Sequence, residues 1–152
     1  IDDEAVEAGL YSVAWPARFE VLHTDDPWFV LDGGHNPQCA AALRECLEHY
    51  FPYQKRVALV GVLKDKDYKA IAATLAPLFD ACVCVTPNSE RALPAEELAE
   101  LFRGSCREVC TADTVEDGVD LARDIAQEQD AMVCAFGSLY ICGQIRACFG
   151  LK

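Results

Sequence analysis

Short apolar runs alternate with segments of helical periodicity along almost the whole of this 152-residue chain. Six apolar runs are predicted as β-strands, at residues 18–22, 28–32, 56–63, 80–86, 107–111 and 131–137. Six amphipathic segments are predicted as α-helices, at residues 2–13, 37–51, 66–79, 94–104, 114–129 and 138–149. Because nearly every strand is followed by a helix, we predict an α/β fold with a mainly parallel six-stranded sheet and helices on both faces.

The charge balance argues against two classes of partner. The chain has 25 acidic and 13 basic residues, for a formal net charge of −12. Nucleic acids and anionic membranes need clusters of Lys and Arg to neutralise their phosphates. No apolar run approaches the roughly 18 residues that span a bilayer, and no signal peptide opens the chain. We therefore expect a cytoplasmic protein with neither a nucleic acid nor a membrane as partner.

Nine cysteines are many for a chain of this length, but no CxxC pair occurs among them. Cys82, Cys84 and Cys134 lie inside predicted buried strands, where free cysteine behaves as a small apolar residue. We predict reduced, structural thiols, in keeping with a reducing compartment. Thiol redox chemistry is the alternative, and thiol titration would test it.

The segment Asp32–Asn36 connects a predicted strand to a predicted helix with the sequence DGGHN. Ligands of open α/β sheets bind beyond the carboxyl ends of the strands, and a helix N-terminus attracts anions. Asp32 could accept from ribose hydroxyls, while His35 and Asn36 could donate to phosphate or carboxylate oxygens. The alternative is a tight turn in which Asp32 and Asn36 only cap the helix.

Polar residues also follow three other predicted strands, so four loops are expected to meet at one edge of the sheet. Residues 65–67 could face the cleft or form a solvated loop with a capping acid. Arg91 could hold a carboxylate, because a guanidinium offers two parallel donors. Ser138 could bind a ligand or cap the last helix. Arg18, taken alone, is equally consistent with a surface charge.

The chain lacks the parts for phosphoryl transfer by itself. No GxxxxGK[ST] loop occurs among its nine glycines. No spacing of His, Cys, Asp and Glu matches a known metal site, and no GxSxG elbow is present.

Several motifs in fixed order resemble the C-terminal domain of folylpolyglutamate synthase and bifunctional dihydrofolate synthase, in the Mur ligase superfamily. These motifs are WPAR at 15–18, DGGHNP at 32–37, GVLKDKD at 61–67, TPNSERALP at 86–94 and GSLYICGQIR at 137–146. The resemblance runs from about Gly9 to Arg146. Ala17 and Gly34 stand where the family commonly has glycine and alanine, and the loss of glycine at position 17 puts the geometry of that turn in question.

The resemblance implies a Rossmann-like three-layer domain and a two-step reaction. In this family, Mg-ATP phosphorylates a carboxylate of folate or dihydropteroate, and the amino group of L-glutamate then attacks the acyl phosphate. The phosphate loop and the Mg²⁺ ligands belong to an N-terminal ATPase domain, which would be the partner of this chain.

Site residues follow from the resemblance position by position. Arg18 matches a contact to nucleotide phosphate and Asp32 the acid that holds the ATP ribose. His35 matches a histidine near the reacting carboxylate and the incoming glutamate and is the expected catalytic residue, and Asn36 supports its turn. Further substrate contacts are expected at Arg91, Ser138 and Tyr140.

The predicted domain boundary lies near residue 14. We expect residues 1–14 to be a linker or helix from a preceding domain and residues 15–152 to form the glutamate ligase domain. The chain begins with Ile1 and its only methionine is Met132, so we expect it to be part of a larger protein. The isolated chain is then expected to be inactive, with at most weak nucleotide affinity. The alternative is a stand-alone Rossmann-like nucleotide-binding or regulatory module.

Overall fold

The computed structural model describes residues 2–23 and 27–152. The strands are β1 Glu20–His23, β2 Phe29–Asp32, β3 Lys55–Val60, β4 Ala81–Val85, β5 Glu108–Ala112 and β6 Ala131–Phe136. The helices are α1 Asp3–Ser12, α2 Pro37–Tyr50, α3 Tyr68–Leu75, α4 Ala95–Phe102, α5 Val115–Gln129 and α6 Leu139–Cys148, with a 3₁₀ turn at Ala76–Leu78 after α3. The predicted elements are confirmed in type and order. Residues 24–26 of the predicted turn between the first two strands lie outside the described residues.

The six strands form one sheet in the order β1-β2-β6-β3-β4-β5. Only β1 runs antiparallel to its neighbour; the other pairs are parallel, which confirms the predicted α/β fold. Asp32 and Val60 both lie opposite Phe136 of β6. The parallel strands β2, β6 and β3 therefore end at the same level, and the loops that follow them are neighbours.

Apolar residues fill both faces of the sheet. One core lies between the sheet and α2, α3 and α4, and the other between the sheet and α5 and α6. All six residues of β6 are buried, as expected of a central strand covered on both sides. Phe136 stacks on Phe79 at 5.5 Å between ring centroids, so its truncation to alanine should cost about 3–5 kcal/mol.

The predicted strand over 56–63 is shorter than its apolar run suggests. The chain leaves β3 after Val60, and Leu63 instead forms an isolated antiparallel bridge with Ala92. Val62 and Leu63 are nevertheless buried, because the loop folds back over the core. The apolar run correctly predicted that residues 61–63 are buried, but it did not predict that they leave the sheet.

Helix α1 stands apart from both layers. Asp2 caps it by accepting from the Ala5 amide at 2.8 Å, but none of its residues is buried. The predicted helix near the start of the chain is therefore present, while its origin in a preceding domain stays a prediction. None of the helices within the described residues is both long and apolar enough to cross a membrane.

Candidate functional site

Asp32 ends β2, and both of its carboxylate oxygens accept backbone hydrogen bonds. Oδ2 accepts from the Phe19 amide at 2.9 Å and Oδ1 from the Gly34 amide at 2.8 Å. Asp32 thus joins the turn before β1 to the loop before α2, and it does not cap α2 as the simpler alternative supposed. A carboxylate has about four acceptor positions, so two remain for a ligand.

Arg18 lies in a turn with two left-handed residues. Ala17 has φ 56° and Phe19 has φ 45°, while the Arg18 side chain is exposed and donates to the Ala17 carbonyl at 3.2 Å. Alanine at position 17 therefore keeps the turn that glycine would favour, at a cost of about 1–2 kcal/mol for a left-handed residue.

Gly33 allows this turn to approach the Asp32 loop. Its amide donates to the Ala17 carbonyl at 2.8 Å. A Cβ at position 33 would come within 2.4 Å of Leu139 Cδ2 and 3.1 Å of Arg18 Nη1. A side chain at position 33 would push against Leu139 and Arg18, so Gly33 lets the turn that carries Arg18 pack closely against the Asp32 loop.

Asn36 is the N-cap of α2. Its Oδ1 accepts from the Cys39 amide at 2.8 Å, and Pro37 occupies the first turn. His35, one residue earlier, is half-buried, with Nδ1 3.4 Å from the Gly33 carbonyl oxygen. The capping alternative is thus correct for Asn36, and the helix start that it fixes positions His35.

A small cavity of about 120 Å³ lies beside His35 at the carboxyl edge of the sheet. Its lining residues are His35, Leu63, Lys66, Arg91, Ser138, Leu139 and Tyr140. The loops after β2, β3, β4 and β6 all contribute, as the sequence predicted. No acidic residue lines this cavity, although the chain has 25 acids and 13 bases. The lining instead includes two cations, Lys66 and Arg91, so the cavity favours an anion.

Arg91 is held at the rim of the cavity. Its Nη1 lies 3.0 Å from Asp65 Oδ2, and its Nη2 donates to the Tyr140 hydroxyl at 3.3 Å. The hydrogen bond with Tyr140 and the charge of Asp65 raise the pKa of Arg91 above its ordinary value. An incoming carboxylate would share the guanidinium with Asp65.

The three residues of the loop at 65–67 have different roles. Asp67 caps α3 by accepting from the Ala70 amide at 3.2 Å, and Asp65 pairs with Arg91. Lys66 faces the cavity and makes no side-chain ion pair or hydrogen bond within the part of the chain that the structure describes. Sequence reasoning favoured a solvated loop here, and the fold brings Lys66 into the candidate site.

Ser138 is 2% exposed, and its Oγ accepts from the Tyr140 amide at 3.1 Å, so it is the N-cap of α6. The preceding Gly137 has φ +111°, and a Cβ there would lie 2.7 Å from the Gly61 carbonyl oxygen. This close approach sets the loops after β3 and β6 side by side. Ser138 therefore lines the cavity and caps α6 at the same time.

The site also depends on two residues that sequence reasoning did not single out. Arg146 Nη1 donates to Glu20 Oε1, and the two residues are 126 positions apart. Glu20 Oε2 accepts from the Ala17 amide at 2.8 Å. No local pattern signals a pair at this separation.

The nine cysteines are all free. Burial is the main cause that raises the pKa of Cys106 to about 11 and of Cys142 to about 12. A thiol with such a pKa is protonated at neutral pH and is a poor nucleophile. Reduced, structural thiols stay a prediction, and the buried, high-pKa thiols Cys106 and Cys142 suit a packing role.

A magnesium site would need a group of oxygen ligands. Within residues 2–23 and 27–152, no group of three or more His, Cys, Asp and Glu side chains could hold a metal ion. The described residues therefore do not supply the ligand set of a resident Mg²⁺.

Comparison with known proteins shows the family to which this chain is similar. Residues 17–139 match the family model described as Mur ligase, glutamate ligase domain. The chain is 37% identical to the dihydrofolate synthase/folylpolyglutamate synthase of Mycobacterium tuberculosis over 166 residues, which cover 99% of the chain and 34% of that protein.

Solved structures show the same architecture. The folylpolyglutamate synthase of Mycobacterium tuberculosis, in complexes with ADP and AMPPCP, superposes with a TM-score of 0.91 and 33% identity, covering 100% of this chain and 36% of that one. The bifunctional folylpolyglutamate synthase/dihydrofolate synthase of Yersinia pestis, with AMPPNP and Mn, gives a TM-score of 0.84 and 30% identity, covering 99% of this chain and 35% of that one. The chain thus spans about a third of the length of these relatives.

Proposed function

Since the chain belongs to the Mur ligase, glutamate ligase domain family, we propose that it is the C-terminal domain of an ATP-dependent ligase that adds L-glutamate to folate or dihydropteroate. One observation carries the proposal: Arg18, Asp32 and the acid-free cavity beside His35 lie together at the carboxyl edge of the parallel strands. In this proposal residues 15–152 form the domain and residues 1–14 lead into it.

The half of the site around Asp32 would hold the nucleotide. Two acceptor positions of Asp32 are free for ribose hydroxyls, since the other two receive the Phe19 and Gly34 amides. The exposed guanidinium of Arg18 can form charge-assisted hydrogen bonds with phosphate oxygens. The hydrogen bond from the Phe19 amide to Asp32 joins the turn that carries Arg18 to Asp32, which supports a joint role in nucleotide binding.

The cavity half would hold L-glutamate, whose two carboxylates suit a lining with two cations. Arg91 offers a donor fork fixed by Asp65 and Tyr140, and Lys66 supplies an ammonium group that has no side-chain partner among the described residues. His35 lies between this cavity and the Asp32 loop. It is therefore placed to hydrogen-bond groups at the reacting centre, while Asn36 and Ser138 fix the helix starts around it.

The proposed reaction has two bond-making steps. A carboxylate oxygen of the folate or dihydropteroate attacks the γ-phosphorus of ATP, ADP leaves, and an acyl phosphate forms. The amine nitrogen of glutamate then attacks the acyl carbon, the C–O bond to phosphate breaks, and the amine loses a proton. Arg18, Asp32 and the cavity residues would bind and orient the two substrates for this transfer.

Other parts of the reaction would come from outside these 152 residues. The chain has no phosphate loop, so we assign ATP activation and Mg²⁺ binding to an N-terminal ATPase domain of the same protein. Closure of the two domains would complete the site and exclude water. The free thiols suit a cytoplasmic location.

The test is an assay of the protein encoded by the native gene, with ATP, labelled glutamate and either dihydropteroate or tetrahydrofolate. We expect ATP-dependent glutamate incorporation by the full-length protein and none by the 152-residue chain. Arg18→Ala should raise KM for ATP at least tenfold. Arg107→Ala is a matched control, since Arg107 is exposed and lies at the opposite end of the sheet, just before β5.

Two outcomes would contradict the proposal. Glutamate incorporation by the chain alone would refute the division of labour between two domains. A native gene that encodes only this chain, together with tight nucleotide binding, would instead establish a stand-alone nucleotide-binding module.

A further inference from the structure

We infer that Glu20 and Arg146 are positioning residues for the nucleotide half of the site: they hold the turn at residues 15–19 in the conformation that presents Arg18 beside Asp32. This inference rests on the proposed function. It concerns residues that touch neither predicted substrate, and it assigns them a role through Arg18.

The turn needs external support because its backbone is strained. Ala17 and Phe19, on either side of Arg18, both have left-handed φ values, 56° and 45°. A left-handed residue other than glycine costs about 1–2 kcal/mol, and such strain persists only where surrounding contacts enforce it. Without that support Arg18 would sample other positions.

Each strained residue has its amide held by a carboxylate. The Ala17 amide donates to Glu20 Oε2 at 2.8 Å and the Phe19 amide to Asp32 Oδ2 at 2.9 Å. The two acids therefore hold the two sides of Arg18, one from the following strand and one from the neighbouring strand. Asp32 is also a predicted ligand contact, whereas Glu20 only supports the turn.

Arg146 fixes Glu20 from helix α6. Its Nη1 donates to Glu20 Oε1, and its Nη2 donates to the Lys152 carbonyl at 2.6 Å. The side chains of Arg146 and Glu20 are only 14% and 22% exposed, so solvent screens this pair less than a surface pair. Removing one partner from such a pair leaves the other charge poorly compensated.

This pair also joins the two halves of the site. Helix α6 begins beside the glutamate cavity, where Ser138 caps it, and carries Arg146 two turns later. The same rigid helix is therefore in contact with the cavity at its start and with the Arg18 turn through Glu20. A shift of α6 would change both halves together.

The test uses the full-length protein and separates positioning from folding. Glu20→Gln and Arg146→Gln should each raise KM for ATP about tenfold and leave KM for glutamate within twofold. In an Arg18→Ala background, Glu20→Gln should add less than a twofold further rise, because its effect passes through Arg18. Arg44→Gln, which breaks the exposed Arg44–Glu48 pair, is the control and should leave both KM values unchanged.

The results that would contradict this inference differ from those that would contradict the proposed function. If Arg18→Ala raises KM for ATP but Glu20→Gln changes only the melting temperature, or acts equally in the Arg18→Ala background, the positioning role is refuted and the proposed function stands. If Arg18→Ala leaves KM for ATP unchanged, the nucleotide role of Arg18 is wrong and this inference falls with it. Should Glu20→Gln fail to fold, Arg146→Lys, which keeps the charge but not the guanidinium fork, carries the same test.

Discussion

The carboxylate of Asp32 accepts a hydrogen bond from the backbone amide of Phe19, 13 residues earlier in the chain, at 2.9 Å. This contact brings the turn that carries Arg18 to the end of β2, where the loop toward α2 begins. Structural and binding roles therefore meet in one side chain, and its substitution should affect both.

Asp32→Asn should lower the free energy of unfolding by about 1–3 kcal/mol. An amide side chain is uncharged and has one acceptor oxygen, so one of the Phe19 and Gly34 amides loses its acceptor and faces an NH₂ group instead. Urea denaturation of the isolated chain measures the change. Asp120→Asn, at an exposed position of α5, is the control and should stay within about 0.5 kcal/mol of the parent. Equal stability of the two variants would contradict the structural role of Asp32.

Two glycines near or within α6 should respond to alanine in opposite directions. Gly137→Ala should destabilise the chain by at least about 2 kcal/mol, because φ is +111° and the new Cβ would lie 2.7 Å from the Gly61 carbonyl oxygen. Gly143→Ala should stabilise it by about 0.5–1 kcal/mol, since a Cβ there meets nothing within 4 Å and alanine favours the helix. Thermal and urea denaturation measure both changes. A loss of stability in Gly143→Ala would argue against the placement of α6.

The free energy of unfolding should decrease in acid, because Glu20 becomes protonated and loses its contribution. Burial raises the pKa of Glu20, but the hydrogen bonds from Arg146 and the Ala17 amide, with the charge of Arg146, lower it overall below its ordinary value of 4.5. The contribution of Glu20 is therefore complete above the unfolded pKa and is lost as the pH falls through the lower, folded pKa. The difference in unfolding free energy between the parent and Glu20→Gln should shrink as the pH drops below 4.5. A difference that stays constant into strong acid would contradict this linkage.

Thiol labelling should separate exposed from buried cysteines. Cys148 is exposed and should react first with a disulfide reagent, and Cys148→Ser should remove that fast phase. Cys82, Cys84 and Cys134 are buried, and burial raises the pKa of Cys82 and Cys134, so these thiols should react only after unfolding. Rapid labelling of Cys134 in the native protein would contradict its burial and favour the redox alternative.

Tyr140→Phe tests the glutamate half of the proposed site. The change removes the hydroxyl that accepts from Arg91 Nη2 and should loosen the guanidinium. In the full-length ligase we expect KM for glutamate to rise about three- to tenfold, as for the loss of one hydrogen bond, with KM for ATP unchanged. Tyr53→Phe is the matched control, because Tyr53 is 98% exposed. If only KM for ATP rose, the assignment of Tyr140 to the glutamate half of the site would be wrong.

The convergence of the loops at one edge could be predicted from the order of the strands along the chain, whereas Arg18 and Tyr140 were named only because the motifs resemble a known family. Arg18 and Asp32 come together, and His35, Arg91, Ser138 and Tyr140 line one cavity. The local roles of Asn36 and Ser138 as helix caps were also visible, because a cap depends on residues only two or three positions away. Lys66 was the weakest of these predictions, since the path of its loop depends on the bridge between Leu63 and Ala92.

The sequence by itself determined the helices, the strands and the edge of the sheet where the loops gather, because hydrophobic periodicity and strand–helix alternation are local properties. Only the tertiary structure decided that β6 lies between β2 and β3, that Ala17 and Phe19 adopt left-handed conformations, and that Arg146 holds Glu20. These features depend on contacts between residues far apart in the chain. Such contacts leave no periodic signal, and they overrule local preference when several hydrogen bonds act on one strained turn.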